Sequence, residues 1–129
     1  MASVADCMAR DLLVVEPATT IEEAARRMAE RNVGTVLALD GDRVTGILTE
    51  RDVLRAVAAG FTASDPVSRW MTANPETIDA DDSTDHAATL MIHGGFRHLP
   101  VLDGGKPVGI LSIRDLVRVT LSDAAPRGA

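Results

Sequence analysis

The sequence predicts an α/β fold of the α+β kind, built from two β-α-β-β-α repeats packed about a pseudo-twofold axis. Three observations predict it. The stretch Gly46-Ile47-Leu48-Thr49-Glu50-Arg51-Asp52 returns 63 positions later as Gly109-Ile110-Leu111-Ser112-Ile113-Arg114-Asp115. At that same offset, without a gap, Val4, Met8, Ala24, Ala25, Met28, Leu39, Asp40, Gly41 and Arg55 also meet identical residues. Identities spread this evenly mark two copies of one supersecondary unit. Finally, each copy alternates short apolar runs with amphipathic helical patterns, and neither could bury both faces of so small a sheet alone. The expected layout is a first repeat over 1–60, a linker over 61–66, a second repeat over 67–121 and a disordered tail over 122–129.

Val4 to Met8 reads as one helical turn leading into the first repeat. Leu12 to Val15 is a short buried strand that stops near Pro17. Thr20 and Glu23 have the spacing of a capping box. Behind them Ile21, Ala24, Ala25 and Met28 fall at i, i+3, i+4 and i+7, one apolar helical face, with Glu22, Arg26, Arg27 and Glu30 mostly opposite. Val33 to Leu39 returns as a strand, Asp40-Gly41 signals a hairpin turn, and Arg43 to Leu48 is its partner strand. Thr49 opens a helix that runs through Ala59 and stops at Gly60.

After the linker, which contains Ser64-Asp65-Pro66, the order repeats. Val67 to Met71 is the lead-in, with Trp70 an anchor where the linker joins the second copy. Thr77-Ile78 is a strand, and Ser83 caps a helix with Thr84, Ala87, Ala88 and Met91 on one face. A hairpin pairs Leu99–Leu102 with Val108–Leu111 around Asp103-Gly104-Gly105, and a last helix spans about Arg114 to Leu121.

Composition narrows the function. Of 129 residues, 46% are hydrophobic but only 2% aromatic, so Ala, Val, Leu, Ile and Met must build the core. A net charge of −6 argues against a nucleic-acid backbone or an anionic membrane surface as partner. One cysteine, Cys7, cannot form an internal disulfide, which suits a reducing compartment, and no signal peptide or membrane span is evident. A cytoplasmic protein is expected. No nucleophile elbow, phosphate-binding loop or Cys/His pairing supports catalysis, so an enzyme is not expected. His86 and His93 share a helix face, but no Cys or acid joins them at ligand spacing, so no metal site is expected.

The repeated stretch carries the candidate chemistry. The turn before each second helix offers free backbone N–H groups and the positive end of the helix dipole, which suits a phosphate. Asp52 and Asp115 can each accept two hydrogen bonds from a cis-diol. Thr49 and Ser112 place hydroxyls one helical turn from those carboxylates. The same residues also fit a capping box that merely starts a helix, and both roles can coexist. Arg51 and Arg114, just before each Asp, could reach a phosphate or pair with a neighbouring acid.

Over about Ser3 to Leu121 the chain resembles a tandem pair of CBS domains, a Bateman module. The resemblance rests on the twice-occurring pattern Gly, apolar, any, Thr or Ser, any, any, Asp, on the lead-in Val4-Ala5-Asp6-Cys7-Met8, and on Phe96-Arg97-His98-Leu99-Pro100-Val101. It implies a regulatory binding module for an adenosine-containing ligand (AMP, ADP, ATP or S-adenosylmethionine) held in clefts between the repeats, with no cofactor required. It also implies a homodimer that signals in trans to an effector protein. By the same resemblance Asp52 and Asp115 hold ribose hydroxyls, Thr49 and Ser112 lie beside ribose and phosphate, and Arg97 and His98 contact phosphate. Val14, Val15, Thr77 and Ile78 would line the adenine slot. The first copy departs from this pattern, with Gly34 and Thr35 where the second has Arg97 and His98, and Leu37 in place of Pro100. One good site is therefore expected. The rival reading is a ligand-free dimerisation or protein-interaction module.

Overall fold

The structure, a computed structural model, describes residues 2–124. Its elements in chain order are α1 (Val4–Cys7), β1 (Val14–Val15), α2 (Ile21–Arg31), β2 (Thr35–Asp40), β3 (Arg43–Thr49), α3 (Glu50–Ala58), α4 (Val67–Trp70), β4 (Thr72–Ala73), β5 (Ile78–Asp79), α5 (Thr84–Gly94), β6 (His98–Asp103), β7 (Lys106–Ser112) and α6 (Ile113–Ala124). None of these helices is long and apolar enough to cross a membrane.

The residues form two compact units, and these do not coincide with the sequence repeats. One unit contains Asp11–Pro75 with Gly105–Pro107; the other contains residues 2–10 together with Glu76–Gly104 and residues 108–124. Each repeat's lead-in thus belongs to the other repeat's unit.

In the first-repeat unit the sheet order is β1-β2-β3-β4, with β1 parallel to β2 and the remaining pairs antiparallel. The strand expected over Leu12 to Val15 is shorter than its apolar run: only Val14 and Val15 enter the ladder, opposite Leu37 and Ala38. Leu13 accepts one further bond from the Leu37 N–H at 2.9 Å and is buried. Thr20 caps α2 as expected, accepting from the Glu23 N–H at 3.1 Å. The second half of the predicted capping box does not form, because the Glu23 carboxylate turns outward to Arg26 and Arg27. Sequence reading missed β4, which pairs Thr72 and Ala73 with Ile47 and Gly46. The core gathers Leu13, Val15, Ile21, Ala24, Met28, Val36, Ala38, Leu48 and Ala56 with Val67, a residue of the second repeat's lead-in.

The second-repeat unit has the sheet order β5-β6-β7. Its core holds Ile78, Ala80, Ala87, Met91, Leu99, Val101, Leu111 and Leu116 with Val4 and Met8 of the first lead-in. The Val4 and Ala5 N–H groups donate to Asp82 and Ala80 at 2.8 Å. At the equivalent place in the other unit, the Val67 and Ser68 N–H groups donate to Thr19 and Pro17 at 2.7 and 3.0 Å. The final helix runs to Ala124, past Leu121 where the sequence pattern ends; the rest of the expected tail lies outside the described residues.

The motif glycines are explained by these lead-ins. A Cβ on Gly46 would collide with the Met71 side chain. A Cβ on Gly109 would sit 2.7 Å from the Ala9 carbonyl oxygen and 2.8 Å from Met8 Sδ. Only glycine lets each lead-in cross its strand this closely.

Trp70 anchors on the first-repeat unit. Its Nε1–H donates to Asp65 at 3.3 Å, and Arg69 stacks over its ring at 5.6 Å. Asp65 also accepts from the Thr62 hydroxyl at 2.7 Å. That hydroxyl, followed by the Trp70 indole, the Thr62 N–H and the Arg69 charge, holds its carboxyl below the usual range.

Candidate functional site

Thr49 is the last residue of β3 and Ser112 the last residue of β7, each directly before the helix that follows. In both units the cap is built the same way. The Thr49 N–H and hydroxyl donate to one Asp52 oxygen at 2.9 and 3.1 Å, and the Asp52 N–H donates back to the hydroxyl at 3.4 Å. The Ser112 N–H and hydroxyl donate to Asp115 at 2.8 and 2.9 Å, and the return bond is 3.1 Å. The helix-starting role is therefore realised at both motifs.

The cap leaves the other carboxylate oxygen of each Asp for further chemistry. Arg55 approaches that of Asp52 at 3.6 Å, and Arg118 that of Asp115 at 3.4 Å. Both arginine side chains are about two-thirds exposed, so these long pairs are weak and displaceable. The aspartates themselves are only 6% and 8% exposed. A carboxylate oxygen has two lone pairs, so each Asp can still accept from a diol without releasing its cap. The Thr49 and Ser112 hydroxyls, by contrast, already donate to the Asp and accept from its N–H.

Arg97 is brought to the second motif. Its carbonyl accepts from the N–H of Ile113, the first residue of α6, at 2.9 Å, which fixes its backbone beside the start of that helix, and its side chain is exposed. His98 follows at the start of β6 and is half-buried. Arg51 and Arg114 are exposed on the first turns of α3 and α6. Val15 and Ile78 are 6% and 4% exposed and belong to the cores, so packing is their first role. Val14 stays 41% exposed.

Thr77 and Ile78 line a shallow cavity of ≈ 190 Å³ with Glu76, Asp79, Asp82, His86, Leu90 and Leu102. None of Arg97, Ser112 or Asp115 reaches it. There His86 Nδ1 lies 2.8 Å from Asp82, and this contact, with the Ser83 N–H, keeps the Asp82 carboxyl below its usual range. Among the described residues no group of His, Cys, Asp and Glu is arranged to hold a metal ion, and every buried side-chain polar atom has a partner.

The equivalent position in the first-repeat unit is different, and sequence reading missed why. The Glu50 N–H donates to the Gly34 carbonyl at 3.1 Å, matching the Ile113–Arg97 bond. The Glu50 carboxylate then folds onto Gly34, where any Cβ would strike it. An acid thus fills the place that an arginine serves in the other unit.

The CBS domain family model matches this chain twice, at residues 4–59 and 67–122. The chain belongs to the CBS domain family. Among curated relatives, an uncharacterised 17.7 kDa protein of Acidianus ambivalens is 43% identical over 84% of this chain, which spans 66% of that protein's length. Solved CBS structures share the fold closely. A CBS domain protein from Pyrobaculum aerophilum, complexed with AMP, has a TM-score of 0.84 at 30% identity, covering 95% of this chain and 97% of that one. A CBS domain pair in complex with 5′-methylthioadenosine and S-adenosyl-L-methionine has a TM-score of 0.85 at 25% identity, covering 95% and 98%. The tandem CBS pair read from the repeated motif is therefore present.

Proposed function

We propose that this CBS pair is a regulatory module that binds an adenosine-containing ligand at the starts of α3 and α6 and signals in trans, as a cytoplasmic homodimer, to an effector protein. AMP, ADP, ATP and S-adenosylmethionine are the candidates. The observation that carries the reading is the buried Asp at each motif, capped through one oxygen and weakly paired through the other. Asp52 and Asp115 accept the ribose hydroxyls; Arg97, His98 and Arg114 serve a phosphate beside the second motif. The AMP and S-adenosylmethionine complexes of related CBS structures support this ligand class. The CBS family match supports binding rather than catalysis as the role. Calorimetric titration tests it: Asp52→Ala and Asp115→Ala should each abolish binding at one site while the chain stays folded. Wild-type affinity in both variants would contradict the proposal.

The rival, a ligand-free dimerisation module, draws on one specific feature. An apolar groove of ≈ 250 Å³ runs between α5 and α6, lined by Ala88, Met91, Ile92, Ile113, Val117 and Leu121 among others. Ile92 and Leu121 are 75% and 65% exposed there. This face serves the homodimer in either reading, so a dimer indifferent to every nucleotide would favour the rival.

A further inference from the structure

We infer that the two motifs recognise different adenosine compounds: the α6 site takes one bearing a 5′-phosphate, and the α3 site takes one without it. The inference rests on the proposed adenosine-binding role and adds ligand class to each site.

The two sites share a backbone frame, which makes the comparison position by position. In each, the first residue of the helix donates its N–H to the residue preceding the hairpin's first strand: Glu50 to Gly34 at 3.1 Å and Ile113 to Arg97 at 2.9 Å. Each next places an arginine, then the buried Asp. Within this frame only two members change charge. Where the α6 site has Ile113, the α3 site has Glu50; where the α6 site has Arg97, the α3 site has Gly34. Both changes move the charge in the same direction.

Geometry makes the contrast sharper than the sequence does. Gly34 leaves room for the Glu50 carboxylate to lie on the backbone at the very place from which Arg97 extends in the other unit. The first turn of α3 therefore carries two carboxylates, Glu50 and Asp52, against one in α6, Asp115. Two carboxylates already satisfy the positive end of the α3 dipole, leaving little attraction for a further anion and adding direct repulsion. At α6 the dipole is answered by one carboxylate, and Arg97 and Arg114 stand ready for a dianionic phosphate. A ribose diol needs only the Asp, which both sites keep. Adenosine recognition is thus common to the two sites and phosphate recognition is not.

Titration calorimetry of the full chain with AMP and with adenosine tests this, because the probes differ only in the phosphate. Asp→Asn variants keep an acceptor for the helix cap, so they report on the ligand rather than on folding. Asp115→Asn should lose AMP binding while adenosine still binds at α3; Asp52→Asn should retain AMP. Arg97→Gln should weaken AMP about tenfold more than adenosine, the effect of losing one charge-assisted pair. Glu50→Arg should admit AMP to the α3 site as a second equivalent. AMP binding that survives Asp115→Asn, or an Arg97→Gln variant that weakens both ligands equally, would overturn the charge assignment while leaving adenosine binding intact. Wild-type protein that binds neither probe would overturn the adenosine reading itself and this inference with it.

Discussion

The crossing of each lead-in over a motif glycine makes a prediction that separates two kinds of close contact. The nearest atoms that alanine at Gly46 would meet all belong to the flexible Met71 side chain, whereas alanine at Gly109 meets the Ala9 carbonyl oxygen at 2.7 Å as well as Met8. The Ala9 oxygen cannot swing away, because it accepts from the Ile110 N–H at 3.0 Å and its own N–H donates to Ile110 at 2.8 Å. Overpacking of this kind costs about 1–3 kcal/mol. Gly46→Ala should fall at the lower end and Gly109→Ala at the upper. For a chain of this size 1 kcal/mol moves Tm by about 4 °C, so the pair should differ by several degrees. A double-mutant cycle then identifies the partner. Met71→Ala should relieve Gly46→Ala, the double variant costing about 1 kcal/mol less than the sum of the singles. Met8→Ala should relieve Gly109→Ala much less, since the carbonyl remains. Urea melts supply all the free energies. Equal costs for the two glycines, or additivity in the Met71 cycle, would refute the crossing geometry.

Other outcomes follow from the same structure. Val67→Ala should cost roughly 2 kcal/mol, the scale of burying a valine side chain. It should speed hydrogen exchange in β2 rather than in β6, because Val67 fills the first-repeat core; the reverse pattern would contradict the exchange of lead-ins. Asp65 and Asp82 both have lowered carboxyl pKa values, through Thr62 and His86 first respectively. A lowered folded-state value means fewer protons bound when folded, so the stabilisation is complete above the ordinary range near pH ~4 and is lost as pH falls through the lowered values. Melts should show stability declining below about pH 4, and Asp65→Asn should flatten that decline; a variant with the wild-type acid profile would remove Asp65 from the account. Ile92→Ser with Leu121→Ser should shift light-scattering mass from dimer to monomer at micromolar concentration, and an unchanged dimer would move the interface elsewhere.

Much of this was legible in the sequence because the physics is local. Ile21, Ala24 and Met28 at helical spacing turned inward as their pattern requires, and all three are buried. Asp40-Gly41 and Asp103-Gly104 turned their hairpins, and Gly60 follows the end of α3 with φ +77°. The motif residues Thr49, Asp52, Ser112 and Asp115 met as pairs because a cap is a contact of three residues' separation. Exchange of the lead-ins was not legible. Val4 and Val67 are the same residue in near-equivalent surroundings, so pattern alone cannot say which core each fills. Strand β4 escaped because two exposed residues, Thr72 and Ala73, carry no periodicity. Glu50 on Gly34 escaped for a different reason: the contact joins a loop to a helix start sixteen residues away, and only the β2–β3 hairpin brings them together.

The central claim is that the two motifs bind an adenosine ligand, and thermal melts of the full chain test it most directly. AMP, ADP, ATP and S-adenosylmethionine would each be added in excess to wild-type protein and to the Asp52→Asn/Asp115→Asn variant. A ligand at about 100 times its Kd adds roughly 2.7 kcal/mol, a rise of several degrees here. The account predicts that rise for at least one of the four in the wild type and its loss in the double variant. Melts unmoved by all four, or moved equally in both proteins, would contradict it.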